Sequence, residues 1–129
     1  MRAADTNVLV RLVTRDDEAQ CERAIRFFDD NDVFIPKTAL LELEWVLRYS
    51  YALASGVIAS AMLALLDTKR VVAEDETAVR GAITLMQSGL DFADALHLSS
   101  SGQCTDLATF DKAFVKAAGR LAPGRVATL

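Results

Sequence analysis

Along the 129 residues, short apolar runs alternate with longer stretches in which apolar positions recur every three or four residues. The short runs predict strands over residues 2–4, 33–35, 71–72, 105–108 and 125–128. The longer stretches predict helices over 8–13, 16–28, 38–49, 55–66, 76–86, 93–100 and 112–118. Strands separated by helices need crossover connections, which lead to a mostly parallel sheet with helices on both faces, an α/β fold. No repeat, low-complexity stretch or linker interrupts the pattern, and Pro123-Gly124 reads as a turn before the last strand. At this length, with 52% apolar residues, one core and a single domain over residues 1–129 are expected.

In such sheets ligands bind outside the C-terminal ends of the strands. Asp5 follows the first strand, and Asp111 follows the segment Asp106-Leu107-Ala108-Thr109-Phe110 at the start of a helix. Right-handed crossovers begin the helix after Ile35-Pro36 at that same edge, and it carries Glu42 about one and a half turns in. Asp94 falls in the first turn of another helix, after Leu90-Asp91-Phe92. Acidic residues far apart in sequence gain a reason to converge only if something positive binds between them, because a bare carboxylate cluster repels itself. With no Cys or His cluster in support, oxygen donors favour Mg²⁺ or Mn²⁺ over zinc.

Each acid also has a plainer role open to it. Asp5 or Asn7 would serve as an ordinary helix cap, and Asp111 or Thr109 as the cap of the last helix. Asp91-Phe92-Ala93-Asp94 has the form of a capping arrangement, which accounts for Asp91 better than for Asp94. Glu44 competes with Glu42, but the two are about 200° apart around a helix and cannot face one site. Glu44 precedes Arg48 by four residues, the favourable order for an exposed ion pair, and so Glu42 is left as the ligand candidate. His97, three residues after Asp94, shares its face; a lone His is more often packed or on the surface than a ligand.

The charge balance narrows the partners. Setting the four acids aside from the 18 Asp and Glu leaves 14 against 14 Lys and Arg, so the net charge of -4 resides in the candidate site. An acidic chain lacks a strong electrostatic footprint for nucleic acid that acts without metal. Cys21 and Cys104 lie far apart in no metal spacing and fit reduced thiols in a cytoplasmic protein. The start, MRAADTNVLV, has no signal-peptide core, and the apolar stretch 57–66 is too short to span a bilayer.

The motifs DTNVLVR, IPKTALLELEWVL, DFADALHL and TFDKAF, in that order across almost the whole chain, resemble the PIN-domain ribonucleases, and most nearly the VapC toxins of bacterial toxin-antitoxin pairs. The resemblance implies a three-layer α/β/α sandwich, Mg²⁺- or Mn²⁺-dependent endoribonuclease activity, a homodimer, and inhibition by a cognate antitoxin. The family's acids carry over onto Asp5, Glu42, Asp94 and Asp111, and its polar residue before the last acid onto Thr109. Asp91 is an additional acid for which the likeness supplies no role.

Hydrolysis of an RNA phosphodiester by this set would proceed by direct attack of water, since no nucleophile with an adjacent base stands in the sequence. Asp5 and Asp111 are the expected direct ligands, Asp94 a direct or water-bridged one, and Glu42 either orients the water or holds a second ion. Asn7 and Thr109 are candidates to support them. Lys112, Lys116 and Arg120 repeat at one-turn spacing, and Arg11 follows Asn7 by one turn; these are phosphate contacts or simply solvated faces. On the Glu42 helix, Leu40, Leu43 and Leu47 form one apolar stripe and Leu41, Trp45 and Tyr49 a second, to be buried by the 55–66 helix or by a partner. Two other readings compete: a small phosphatase, for which Asn7 stands where a second Asp is needed, and a PIN-like module that binds RNA or protein without cutting it.

Overall fold

The shortest apolar runs make the strands. The computed structural model describes residues 1–129 as two compact units, Met1–Glu76 and Thr77–Leu129. The first holds β1 (Arg2–Ala3), α1 (Thr6–Thr14), α2 (Glu18–Asp30), β2 (Val33–Ile35), α3 (Lys37–Tyr49), α4 (Ser55–Leu66) and β3 (Val71–Ala73). After α5 (Glu76–Gln87) come α6 (Phe92–Ser100), β4 (Leu107–Thr109), α7 (Lys112–Leu121) and β5 (Val126–Thr128). All strand pairings are parallel, as the alternation of strands and helices requires, and the α/β class is met. No helix is long and apolar enough to cross a membrane.

In the first unit the sheet order is β1-β2-β3, with Val33 beside Arg2 and Val71 and Ile35 beside Ala73. Val33 and Ile35, on the central strand, are fully buried. They meet an apolar core that includes Leu9, Leu40, Leu43, Leu47, Ile58 and Met62, all without exposed surface. This is the first apolar stripe of α3, and α1 and α4 both pack on that helix. α3 begins after Pro36, which cannot cap with its side chain. A carboxylate from the neighbouring strand end supplies the cap: Lys37 N donates to Glu74 Oε2 at 2.9 Å, and Lys37 Nζ pairs with Asp75 at 3.2 Å. Glu74 and Asp75 thus serve the helix at the C-terminal edge of the sheet.

Two side chains of α3 depart from the pattern reading. Glu44 is buried, only 3% exposed, where an exposed ion pair was expected. Its Oε1 lies 3.0 Å from Arg48 Nε, and Arg48 Nη2 donates to Oε2 at 3.3 Å, so the pair of the expected spacing exists but its acid faces inward. The second stripe is not covered. Trp45 is 57% and Tyr49 61% exposed, their rings 5.1 Å apart, with the Arg48 guanidinium 4.7 Å over Tyr49. Trp45 therefore lies outside the core.

In the second unit, α5 ends in a Schellman turn: Leu90 N donates to Leu85 O and Gly89 N to Met86 O, with Gly89 at φ 105° in the conformation a side chain would strain. β4 begins at Leu107, two residues later than the apolar run indicated. The Arg125 guanidinium holds the preceding segment in a bend, donating to the carbonyls of Ser101, Cys104 and Thr105 at 2.6–3.0 Å. Ala122-Pro123-Gly124-Arg125 is the expected turn, closed by Arg125 N to Ala122 O, with Pro at its second position and Gly124 at φ 75° at its third. β5 then pairs with β4, Thr128 beside Thr109.

Burial of Glu44 sets a stability test. Glu44→Ala, which leaves Arg48 without its carboxylate, should lower unfolding free energy by about 1–3 kcal/mol, less than for a fully buried pair because Arg48 is a third exposed. Glu42→Ala on the exposed face should stay within about 0.5 kcal/mol. Urea unfolding of the two variants measures the difference, and equal midpoints would contradict the inward placement of Glu44.

Candidate metal centre

Asp5 follows β1 and stands at the N-cap of α1. Its backbone carbonyl accepts from Val8 N and Leu9 N, as a cap residue's must. Its carboxylate, however, makes no capping hydrogen bond. An N-cap aspartate ordinarily satisfies one of the free amides of the first turn. Here the local backbone puts the acid at the helix end, and the acid remains exposed and available. Beside it Thr6 is 6% exposed, and its hydroxyl Oγ1 has no hydrogen-bond partner. A buried hydroxyl left unbonded costs about 1–3 kcal/mol. Sequence reasoning passed over Thr6, and a threonine in a first helical turn carries no signal that its hydroxyl is buried and unbonded.

Glu42 is exposed on α3, on the side of the helix away from buried Leu43 and Leu47. Asn7 is exposed and lines a cleft of about 400 Å³ between α1 and α2, together with Arg11, Gln20, Arg23 and Phe27. Arg11 is committed elsewhere. Its guanidinium donates to Gln20 at 2.6 Å and pairs with Asp16 at 3.1 Å, and Tyr51 donates to the same Asp16. The alternative of a phosphate contact is thereby weakened for Arg11.

The second unit holds Asp94, Thr109 and Asp111. Asp91 caps α6, its carboxylate accepting from Asp94 N at 3.2 Å, which leaves Asp94 three residues into the helix and half-buried. Burial first, then the like charges of Asp91 and Asp111, push the Asp94 carboxyl above its ordinary value; His97 acts in the opposite direction. Asp91, Asp94 and Asp111 are therefore electrostatic neighbours. Asp111 caps α7, accepting from Phe114 N at 3.0 Å, so its expected capping role is real. One carboxylate oxygen is used in this way. Thr109 Oγ1 accepts from Asp111 N at 3.0 Å and fixes the backbone that carries the acid.

As the side chains stand, no three Asp, Glu, His or Cys come together tightly enough to hold an ion. Carboxylates without a cation gain nothing from closing on one another. Taken singly, each unit offers oxygen donors of the kind a hard divalent ion takes: in the first an exposed, uncapped acid at a helix N-terminus, in the second Asp94 beside Asp91 and Asp111.

The Asp94 shift has a definite sign. Because the folded protein binds the Asp94 proton more tightly than the unfolded chain, the stabilising contribution is full below the ordinary aspartate range and is lost as pH rises through the raised value. Asp94→Asn, with no charge to bury, should melt higher than the natural protein at pH 7 in EDTA. The gap should close below pH of about 4. Thermal melts across pH check this, and an Asn variant that melts lower at pH 7 would contradict the environment described for Asp94.

No curated protein matches the chain significantly. The model of the PIN domain matches residues 3–120, from β1 through most of α7. That span takes in every acid described above, and the chain belongs to the PIN domain family, whose fold is of the nuclease type.

Proposed function

We propose that this protein is a Mg²⁺- or Mn²⁺-dependent endoribonuclease that hydrolyses RNA phosphodiester bonds, and that it is the toxin of a toxin-antitoxin pair. The observation that carries the reading is Asp5: an acid at the C-terminal end of a strand, placed by the backbone as a helix cap and not used as one. Membership of the PIN family and the resemblance of DTNVLVR, DFADALHL and TFDKAF to the toxins support it. In this reading residues 1–129 act as one PIN domain.

Asp5, Asp94 and Asp111 are the residues that would hold the ion, with Glu42 as a further ligand or the group that orients the attacking water. When bound, a divalent ion lowers the pKa of water and offsets charge on the phosphodiester oxygens. The chain's own contribution is placement. Thr109 fixes the Asp111 backbone at the start of α7. A cation beside Asp94 would supply the opposite charge that its burial and its acidic neighbours Asp91 and Asp111 deny it. Lys112, Lys116 and Arg120, exposed along α7, would contact RNA phosphates.

Asp5→Asn should abolish metal-dependent RNA cleavage, at least 100-fold, with circular dichroism unchanged. Purified protein is incubated with RNA and with a phosphomonoester, each in Mg²⁺, Mn²⁺ or EDTA. Cleavage of RNA alone, only with metal and lost in the variant, is the expected result. Undiminished cleavage by Asp5→Asn would remove the assignment, RNA binding without any cleavage would favour a non-catalytic module, and phosphomonoester hydrolysis a phosphatase.

The exposed Trp45 and Tyr49 face, with Leu41 at its edge, is the proposed homodimer contact, since an aromatic pair of this kind anchors interfaces. In sedimentation, Trp45→Glu should shift the protein to monomer while keeping a native circular dichroism spectrum. A variant that stays dimeric rules this face out. The cognate antitoxin would silence the enzyme by offering an Arg or Lys to the carboxylates, and Mn²⁺ affinity unchanged in the complex would exclude that mode. The free thiols of Cys21 and Cys104 accord with action in the cytoplasm, which cell fractionation tests.

A further inference from the structure

Phe110, at 79% exposure, is the most exposed large apolar side chain in the protein. It stands between Thr109, the last residue of β4, and Asp111, the N-cap of α7. The backbone on both sides is fixed. Asp111 N donates to Thr109 Oγ1 at 3.0 Å, Leu129 N donates to Thr109 O at 2.9 Å, and Phe114 N donates to Asp111 Oδ1 at 3.0 Å. The ring therefore projects from a braced junction and not from a loose loop. Trp45 and Tyr49, the other exposed aromatics, pack on each other, and Phe27 carries Arg2 over its ring. Phe110 has neither kind of partner.

The residues that follow supply the second half of the argument. Lys112, Lys116 and Arg120 are exposed one turn apart on α7, while Phe114 and Ala118 are buried on its other side. None of the three cations enters an ion pair or hydrogen bond with the protein. A bare aromatic face followed by a line of free cations is the combination that binds single-stranded nucleic acid: a base stacks on the ring and phosphates pass the cations. Thr109, Asp111 and Lys112 flank the ring in the chain, and the exposed Leu129 is tied to the same junction through Thr109 O; the free cations that follow favour a polyanion over a protein surface there.

We propose that Phe110 is a base-stacking residue, on which one nucleobase of single-stranded RNA lies while the backbone runs along Lys112, Lys116 and Arg120. The inference rests on the endoribonuclease reading and deepens it. Stacking tolerates every base because each has a π-face, so Phe110 would fix the position of a nucleotide next to Asp111 without dictating its identity.

The test uses a labelled single-stranded oligoribonucleotide and a second strand of the same length without bases, their binding followed by fluorescence anisotropy in EDTA. Phe110→Ala should bind the first strand about 5- to 100-fold more weakly than the natural protein, and Phe110→Trp at least as tightly. On the strand without bases, natural protein and Phe110→Ala should bind alike. Equal affinity of the two proteins for the ordinary strand overturns the proposal. So does an equal loss on both strands, which would make Phe110 a determinant of local structure, or a change only in sedimentation, which would make it a protein contact. A natural protein that cleaves RNA while Phe110→Ala binds it unchanged overturns this inference alone. A natural protein that neither binds nor cleaves RNA removes the functional reading as well.

Discussion

Parallel strands deliver the chain to helix N-termini at their C-terminal ends, and the positive end of the helix dipole makes that junction the favoured place for a carboxylate. Everything proposed for this protein depends on how each junction uses its acid. After β1 the acid is Asp5, and the helix leaves its side chain unbonded. After β2 no acid stands at the cap, and Glu74 from beyond β3 fills the gap by binding Lys37 N. After β4 the acid is Asp111, which caps with one oxygen. Glu74 and Asp75 are thus as well placed at a sheet edge as Asp5, yet the helix consumes them. Of these acids Asp5 alone is left with no backbone amide or lysine to satisfy it.

Asp94 represents a third condition. It is neither exposed like Asp5 nor spent on a cap, and its burial beside Asp91 and Asp111 makes its charge less favourable than that of an exposed aspartate. Charge stored at a disadvantage in the free protein is what a divalent ion would relieve. Thr6 differs from both, with a buried hydroxyl that bonds to no group of the protein.

The apolar periodicity disclosed the elements because buried faces are written in it: Leu40, Leu43 and Leu47 line one side of α3 and are completely buried. The ends were less legible. α1 begins at Thr6 and α7 runs to Leu121, because small and polar residues complete a helical turn without joining the apolar period. β4 starts late because Arg125, twenty residues along the chain, grips the preceding carbonyls, a long-range contact that no local pattern records. The order of Glu44 and Arg48 correctly indicated an ion pair but not that its acid turns inward, since spacing defines a helical face and not which neighbours cover it. The candidate acids could be found from strand ends and motif order. Thr6 could not, because a threonine in a first helical turn has nothing unusual until its hydroxyl is seen buried and unbonded.

The central claim is that Asp5, Glu42, Asp94 and Asp111 bind a divalent ion. Titrating Mn²⁺ into the ¹⁵N-labelled protein and following amide signals tests it most directly, since a bound paramagnetic ion broadens only the signals near it. The account predicts selective loss of the amide signals next to those four residues, reversed by excess Mg²⁺. Broadening centred instead on Glu74 and Asp75 or on Asp16 and Asp17, or none at substoichiometric Mn²⁺, would contradict it.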